Sequence, residues 1–183
     1  MKLSASVVLF LFVLSFHIAA APPDPKSPPV KVSSFQAGNC EITTRFLDVG
    51  ATNYELRVRN IVKKSIPFIT ELFGGIPKNP NGCKDPSIVI DLDTASLHGE
   101  ADPGWEEMGL KDGLWFGFIS LENGLAHELF HLWNSETFRY AHRRDQWFSE
   151  GCTEYYAIKL AIKAGLIDKY DGVTRMVAPW RSR

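Results

Sequence analysis

The 183-residue chain is short of three things. It has only three cysteines, too few for a disulfide-dense miniprotein. It has no charge excess: 20 basic against 21 acidic side chains leave a formal net charge of -1. Nothing in that balance would hold a nucleic-acid backbone or an anionic membrane, so neither is expected as a partner. It also has no internal repeat and, beyond its N-terminal region, no low-complexity tract. What is present is ordinary globular material. The chain is 45% apolar and 22% charged, and five Trp and 12 Phe argue against disorder. The length suits one cored domain and is too short for two comfortable ones.

The first 21 residues read as a signal peptide. Lys2 supplies a one-charge start, Val7 to Leu14 is unbroken apolar, and Ala19, Ala20 and Ala21 offer a cleavage site. The apolar run is too short to span a bilayer comfortably, although an uncleaved N-terminal anchor stays open. No cysteine follows the run, which argues against a lipoprotein anchor. The expected location is secreted or periplasmic, with no membrane attachment after cleavage. Pro22, Pro23, Pro25, Pro28 and Pro29 then make an extended spacer, because proline fixes φ and lacks the donor N–H. The expected layout is signal peptide 1–21, spacer 22–35 and a folded domain over 36–183.

Within that domain, Tyr54, Val58, Ile61, Val62, Ile69, Leu72 and Phe73 keep helical spacing, with a kink allowed at Pro67 and a stop at Gly74-Gly75. Ile88-Val89-Ile90 reads as a buried strand, and 113–120 (Leu114, Trp115, Phe116, Phe118, Ile119) as a second. Helices are expected over 123–134, with Leu125, Leu129, Leu132 and Trp133 on one stripe, and over 147–164, closed by Gly165. This order predicts an α+β domain in which a small sheet carries an active-site helix and a second ligand-bearing helix.

The chemistry sits on the first helix of that pair, which reads Ala126-His127-Glu128-Leu129-Phe130-His131. Two histidines at i and i+4 differ by about 40° around a helix, so both imidazoles point to one side. Neutral imidazoles are good zinc ligands, and two of them leave a tetrahedral ion short of partners. Glu128 lies about 100° further round, where it can reach a water on the metal without ligating the ion. This is the zinc-hydrolase motif, with the carboxylate as general base. It arises by chance in roughly one chain of this length in two hundred.

A catalytic zinc takes a third protein ligand and keeps one position open. The segment Trp147-Phe148-Ser149-Glu150-Gly151-Cys152-Thr153-Glu154-Tyr155-Tyr156 is built to supply it. Eighteen residues separate His131 from Glu150, enough to leave one helix and return on another. Glu150 and Glu154, again i and i+4, can both face the first helix. Glu150 is assigned to the metal, and Glu154 to the free N–H of a ligand histidine, with a solvated helix carboxylate as the alternative.

The spacing resembles the gluzincin metallopeptidases, in which HExxH is followed by a glutamate on the next helix. The flanks, His127 to Asn134 and Trp147 to Gly151, are most similar to the glycyl aminopeptidase family, relatives of the aminopeptidase N and leukotriene A4 hydrolase type. The likeness covers 46–166 and is sharp in 126–134 and 147–156. It implies a zincin-like fold, Zn2+ on His127, His131 and Glu150, Glu128 as the catalytic carboxylate, and a peptide or protein substrate. Such enzymes are usually several times longer. Leu121-Glu122-Asn123 lies too close to His127 to take the role of their amine-binding motif, and no residue here matches their oxyanion donor. A non-catalytic zinc module and a piece of a longer peptidase stay open as alternatives.

Other residues are read as structural. Tyr155 and Tyr156 are expected in the core and Cys152 as a small buried hydrophobe. A disulfide between Cys40 and Cys83 stays open. His98, Glu100 and Asp102 are expected in a polar surface loop, and Arg139, His142, Arg143 and Arg144 in a solvated turn.

Overall fold

The computed structural model describes residues 28–78, 84, 86–94, 99–102, 105–109, 120–137 and 146–181. The signal peptide, most of the proline segment, all but Ser120 of the strand expected over 113–120, His98, Cys83 and the basic cluster Arg139 to Arg144 lie outside the described residues.

The chain enters through β1 (Lys31–Ala37) and returns antiparallel along β2 (Cys40–Phe46), in a register running from Lys31↔Phe46 to Ala37↔Cys40. The connection is tight enough to need the positive φ (57°) of Gly38, which glycine adopts without steric cost. The spacer therefore ends sooner than its expected limit at residue 35, because Val32 to Ala37 are already paired with β2.

A short 3-10 turn over 51–54 leads into α1 (Glu55–Phe73), which crosses to β3 (Ser87–Asp93), parallel to β2. Val58, Ile61, Val62, Ile66 and Ile69 form the buried stripe of α1, and the helix continues through Pro67. It stops at Gly74 (φ 72°), where the N–H groups of Gly74 and Gly75 return to the carbonyls of Glu71 and Thr70. The sheet is completed by β4 (Gly99–Asp102) and β5 (Trp105–Gly109). The order is β1-β2-β3-β5-β4, with β5 parallel to β3 and β4 antiparallel to β5. Glu100 and Asp102, expected in a loop, are thus part of an edge strand: pairing with β5 decides the matter, and the polar composition suits an edge.

Alternation gives the sheet two different faces. On one face Ile42 and Phe46 of β2 stand beside Ile88, Ile90 and Leu92 of β3, all fully buried under the helices. On the other, the register partners Arg45 and Asp91 form a two-pronged ion pair.

Helix α2 (Leu121–Thr137) packs on α1 and on β4 and β5, burying Leu121, Leu125, Leu129 and Leu132 in the same apolar cluster. The Trp133 indole N–H donates to the Gly75 carbonyl at 2.8 Å, pinning α2 to the end of α1. Helix α3 (Gln146–Lys163) lies on α2 and ends at Gly165, again at positive φ (62°). An additional helix, α4 (Lys169–Arg181), begins where the Asp168 carboxylate accepts the Tyr170 N–H at 2.7 Å. It crosses α3 closely at Gly172, where a Cβ would stand 2.5 Å from Ile162 Cδ1. The architecture is the expected α+β one, a small sheet carrying the two motif helices. No helix among the described residues is long and apolar enough to cross a membrane.

Candidate metal centre

The apolar stripe of α2 determines where its polar motif points. With Leu125, Leu129 and Leu132 committed to the core, His127 and His131 fall on the side that faces α3. On α3, Ala157, Leu160 and Ala161 are buried, and Glu154 and Glu150 stand about one and two turns before Ala157. The two helices bring these four side chains together.

His127 Nε2 lies 3.0 Å from His131 Nε2 and 3.2 Å from Glu150 Oε2, and His131 Nε2 lies 3.3 Å from the same carboxylate oxygen. Three ligand atoms from three side chains thus converge on one point. On the far side of its ring, His127 Nδ1 is 3.1 Å from Glu154 Oε2. Glu128 is nearly buried, at 6% exposure, and is not one of the three convergent groups. The imidazoles meet edge to face, with ring centroids 4.8 Å apart.

Both nitrogens of His127 look at carboxylate oxygens, so a neutral ring cannot satisfy both. Burial works against the imidazolium, but the hydrogen bonds to Glu150 and Glu154 and the nearby charge of Glu128 outweigh it, and the pKa is pushed up to about 9. For Glu150, burial alone would raise the pKa; the two imidazoles reverse that and hold the carboxyl well below the usual carboxylate range. A cluster that favours positive charge on His127 suits a cation. The spacing agrees with one: ligand atoms at ~2.0–2.1 Å from a tetrahedral zinc stand about 3.3 Å apart. Two imidazole nitrogens and one carboxylate oxygen are also a donor set found in catalytic zinc sites.

The four residues read from the motif around the metal, His127, His131, Glu150 and Glu154, are therefore brought together, with Glu128 beside them in sequence. Two structural expectations need correction. Tyr155 is not a core residue: it is 47% exposed, while Tyr156 alone turns inward and stacks on Phe130 at 5.6 Å. Cys152 is half-buried rather than buried: on α3 it lies one position before the fully buried Thr153 and does not share its face. Cys40, one half of the pair left open above, is buried, and desolvation pushes its thiol pKa up to about 11; its candidate partner Cys83 lies outside the described residues. The sequence reading also passed over Asn134, Ser149 and Thr153, which are hydrogen-bonded between the helices beside the cluster. Their positions, one turn from His131 and on either side of Glu150, were the available signal.

Residues 120–179 match the family model of the M61 glycyl aminopeptidases. That segment, α2, α3 and most of α4, is similar to the gluzincin-type peptidases. No curated protein matches the chain. Among solved structures, an aminopeptidase N family protein from Idiomarina loihiensis superimposes with a TM-score of 0.56 at 15% identity, over 79% of this chain. The likeness is one of fold, and it extends over more of the chain than the family match. The chain spans 27% of the length of that structure.

Proposed function

We propose that the chain is a zinc metallopeptidase of the gluzincin type, exported by its N-terminal segment and acting on peptides, with an aminopeptidase activity as the narrower reading. The observation that carries the proposal is the convergence of His127 Nε2, His131 Nε2 and Glu150 Oε2 to within 3.0–3.3 Å of one another, from helices that the core fixes in place. In this reading those three residues hold Zn2+, which when bound would polarise the scissile carbonyl and acidify water. Glu154 accepts the His127 Nδ1–H bond, keeping Nε2 directed at the ion. Glu128 takes the proton of the attacking water on its carboxylate and returns it to the leaving amine. The edge strand β4, which packs on α2, offers backbone groups along which an extended peptide can pair.

The test is metal content of the purified protein, wild type beside Glu150→Ala, with peptide hydrolysis assayed on the same samples. About one zinc per wild-type chain, lost in the variant, is the expected result. Hydrolysis that Glu128→Gln abolishes without loss of zinc would make the chain an enzyme. Zinc without hydrolysis would favour a non-catalytic module, and no zinc in the wild type would overturn the site.

A further inference from the structure

The α2–α3 interface holds a buried polar group that the proposed chemistry does not use. Asn134 and Thr153 are completely buried, and Ser149 is 6% exposed. The Asn134 side-chain amide donates to the Thr153 hydroxyl, and the Ser149 hydroxyl donates to Asn134 Oδ1 at 3.4 Å. Apolar contacts tolerate sliding and rotation of one helix on another, because they have no direction. A buried amide and two hydroxyls do not: they are satisfied in one register and left unpaired in any other. The position of the trio is telling. Asn134 is one turn beyond His131, while Ser149 and Thr153 stand immediately before Glu150 and nearly one turn after it. Glu150 itself, 44% exposed at its side chain, has little packing of its own to hold it.

We propose that Asn134, Ser149 and Thr153 are positioning residues: an interhelical clasp that sets the register of α3 on α2 and so holds the Glu150 carboxylate against the two imidazoles. Their effect on metal affinity rests on the metal-site reading above; the register itself does not.

The test uses the full-length mature protein, wild type beside Thr153→Val, Thr153→Ser and the double variant Asn134→Leu/Thr153→Val, with Glu150→Ala as reference. Zinc affinity is measured by chelator competition, ligand geometry by the visible spectrum of the Co2+-substituted protein, and register by crystal structures of the metal-free proteins. Thr153→Val leaves the Asn134 amide unpaired and is at risk of misfolding. The double variant removes the Asn134 amide and the Thr153 hydroxyl together, and the Ser149 hydroxyl, at the start of α3, can turn to a backbone carbonyl instead, so the variant remains readable. The expected result is a zinc affinity at least ~10-fold weaker in the double variant with an altered cobalt spectrum, and recovery to near wild type in Thr153→Ser, which keeps the hydroxyl. In the metal-free crystals Glu150 moves away from His127 and His131 in the double variant only. Wild-type affinity and an unmoved Glu150 in the double variant would overturn the clasp. A wild type that binds no zinc would overturn the metal site instead, and the crystal structures would still decide the register.

Discussion

The sheet half of the molecule and its helical half both bury charge, but they balance it differently. In the sheet half two acids show the contrast, each with its answer close by. Asp91, 4% exposed, faces its register partner Arg45, and Asp48 accepts the N–H groups of Ala51 and Thr94. In the helical half three carboxylates, Glu128, Glu150 and Glu154, gather about the His127–His131 pair. Charges that serve only the fold are neutralised where they stand; this cluster keeps an excess of negative charge that a proton or a cation must offset. The likenesses divide along the same line. The M61 match covers residues 120–179, whereas the fold likeness extends over 79% of the chain. The fold likeness reaches well beyond the helices, and the family likeness lies in them.

If the halves differ in this way, substitutions should separate rate from stability. Glu128→Gln should lower peptide hydrolysis by ~10²–10⁴-fold, the usual contribution of a general base. Zinc content and melting temperature should stay near wild type, since the shape and burial of the side chain are kept. A matching loss of zinc would show that Glu128 helps to hold the metal, and the division of roles on α2 would fail.

The converse experiment removes packing from the sheet. Phe46 is fully buried at the end of β2 and belongs to the cluster that includes Leu121, Leu125 and Leu129 of α2. Phe46→Ala should cost ~3–5 kcal/mol in urea denaturation, from lost burial and the cavity left behind. Zinc affinity of the folded protein should barely change. A fall in affinity comparable with that of Glu150→Ala would mean that the sheet sets ligand geometry directly.

The sequence made the helical half far more legible than the sheet. Periodicity located α1, α2 and α3, because each has a continuous apolar stripe, and the i, i+4 spacing put His127, His131, Glu150 and Glu154 on facing sides. Strand β3 announced itself by Ile88-Val89-Ile90. Strands β1 and β2 did not: Lys31–Ala37 has exposed or half-buried residues at six of its seven positions, and its strand character comes from pairing with β2. The same holds for Gly99–Asp102, whose glycine and acids read as a loop until β5 supplies a partner. Asn134, Ser149 and Thr153 were illegible for a different reason. Local pattern says that a helix has a polar residue, but only the second helix decides whether it meets solvent or a buried partner.

Asp48 offers a pH-dependent way to sharpen the contrast. Burial pushes its pKa up, but the N–H groups of Thr94 and Ala51 and the Thr94 hydroxyl outweigh it, so the folded-state pKa is lowered. A lowered carboxylate contributes stability that is present above the unfolded-state value near ~3.9 and is lost as pH falls through the folded-state value. Asp48→Asn should therefore melt below wild type at pH 7 and approach it as the solution is acidified. Glu122, which burial raises and Arg57 lowers further, should add loss of the same sign in wild type and variant alike. A constant gap between the two proteins across the acid range would show that the Asp48 contribution is hydrogen bonding without charge.

The smallest expected effect belongs to the exposed charges that join β1 to α1. Lys31 Nζ lies 2.5 Å from Glu55, and Arg59 stands 3.5 Å from the same carboxylate. The distances resemble those within the His127–His131–Glu150 cluster, so distance alone would rank the two groups together. Solvent separates them: the Lys31 side chain is 45% exposed and that of His127 8%. In high dielectric an ion pair gains little over hydrated partners, and ordering two long side chains offsets part of that gain. Glu55→Gln should therefore cost ~0–1 kcal/mol, fade further as salt rises, and leave zinc binding unchanged. Measured beside Glu150→Ala at two salt concentrations, it asks whether burial, rather than proximity, distinguishes the charges that hold the fold from those gathered for a cation. A loss of several kcal/mol that persists in high salt would place Glu55 among the structural charges of the core and break the comparison at its weakest point.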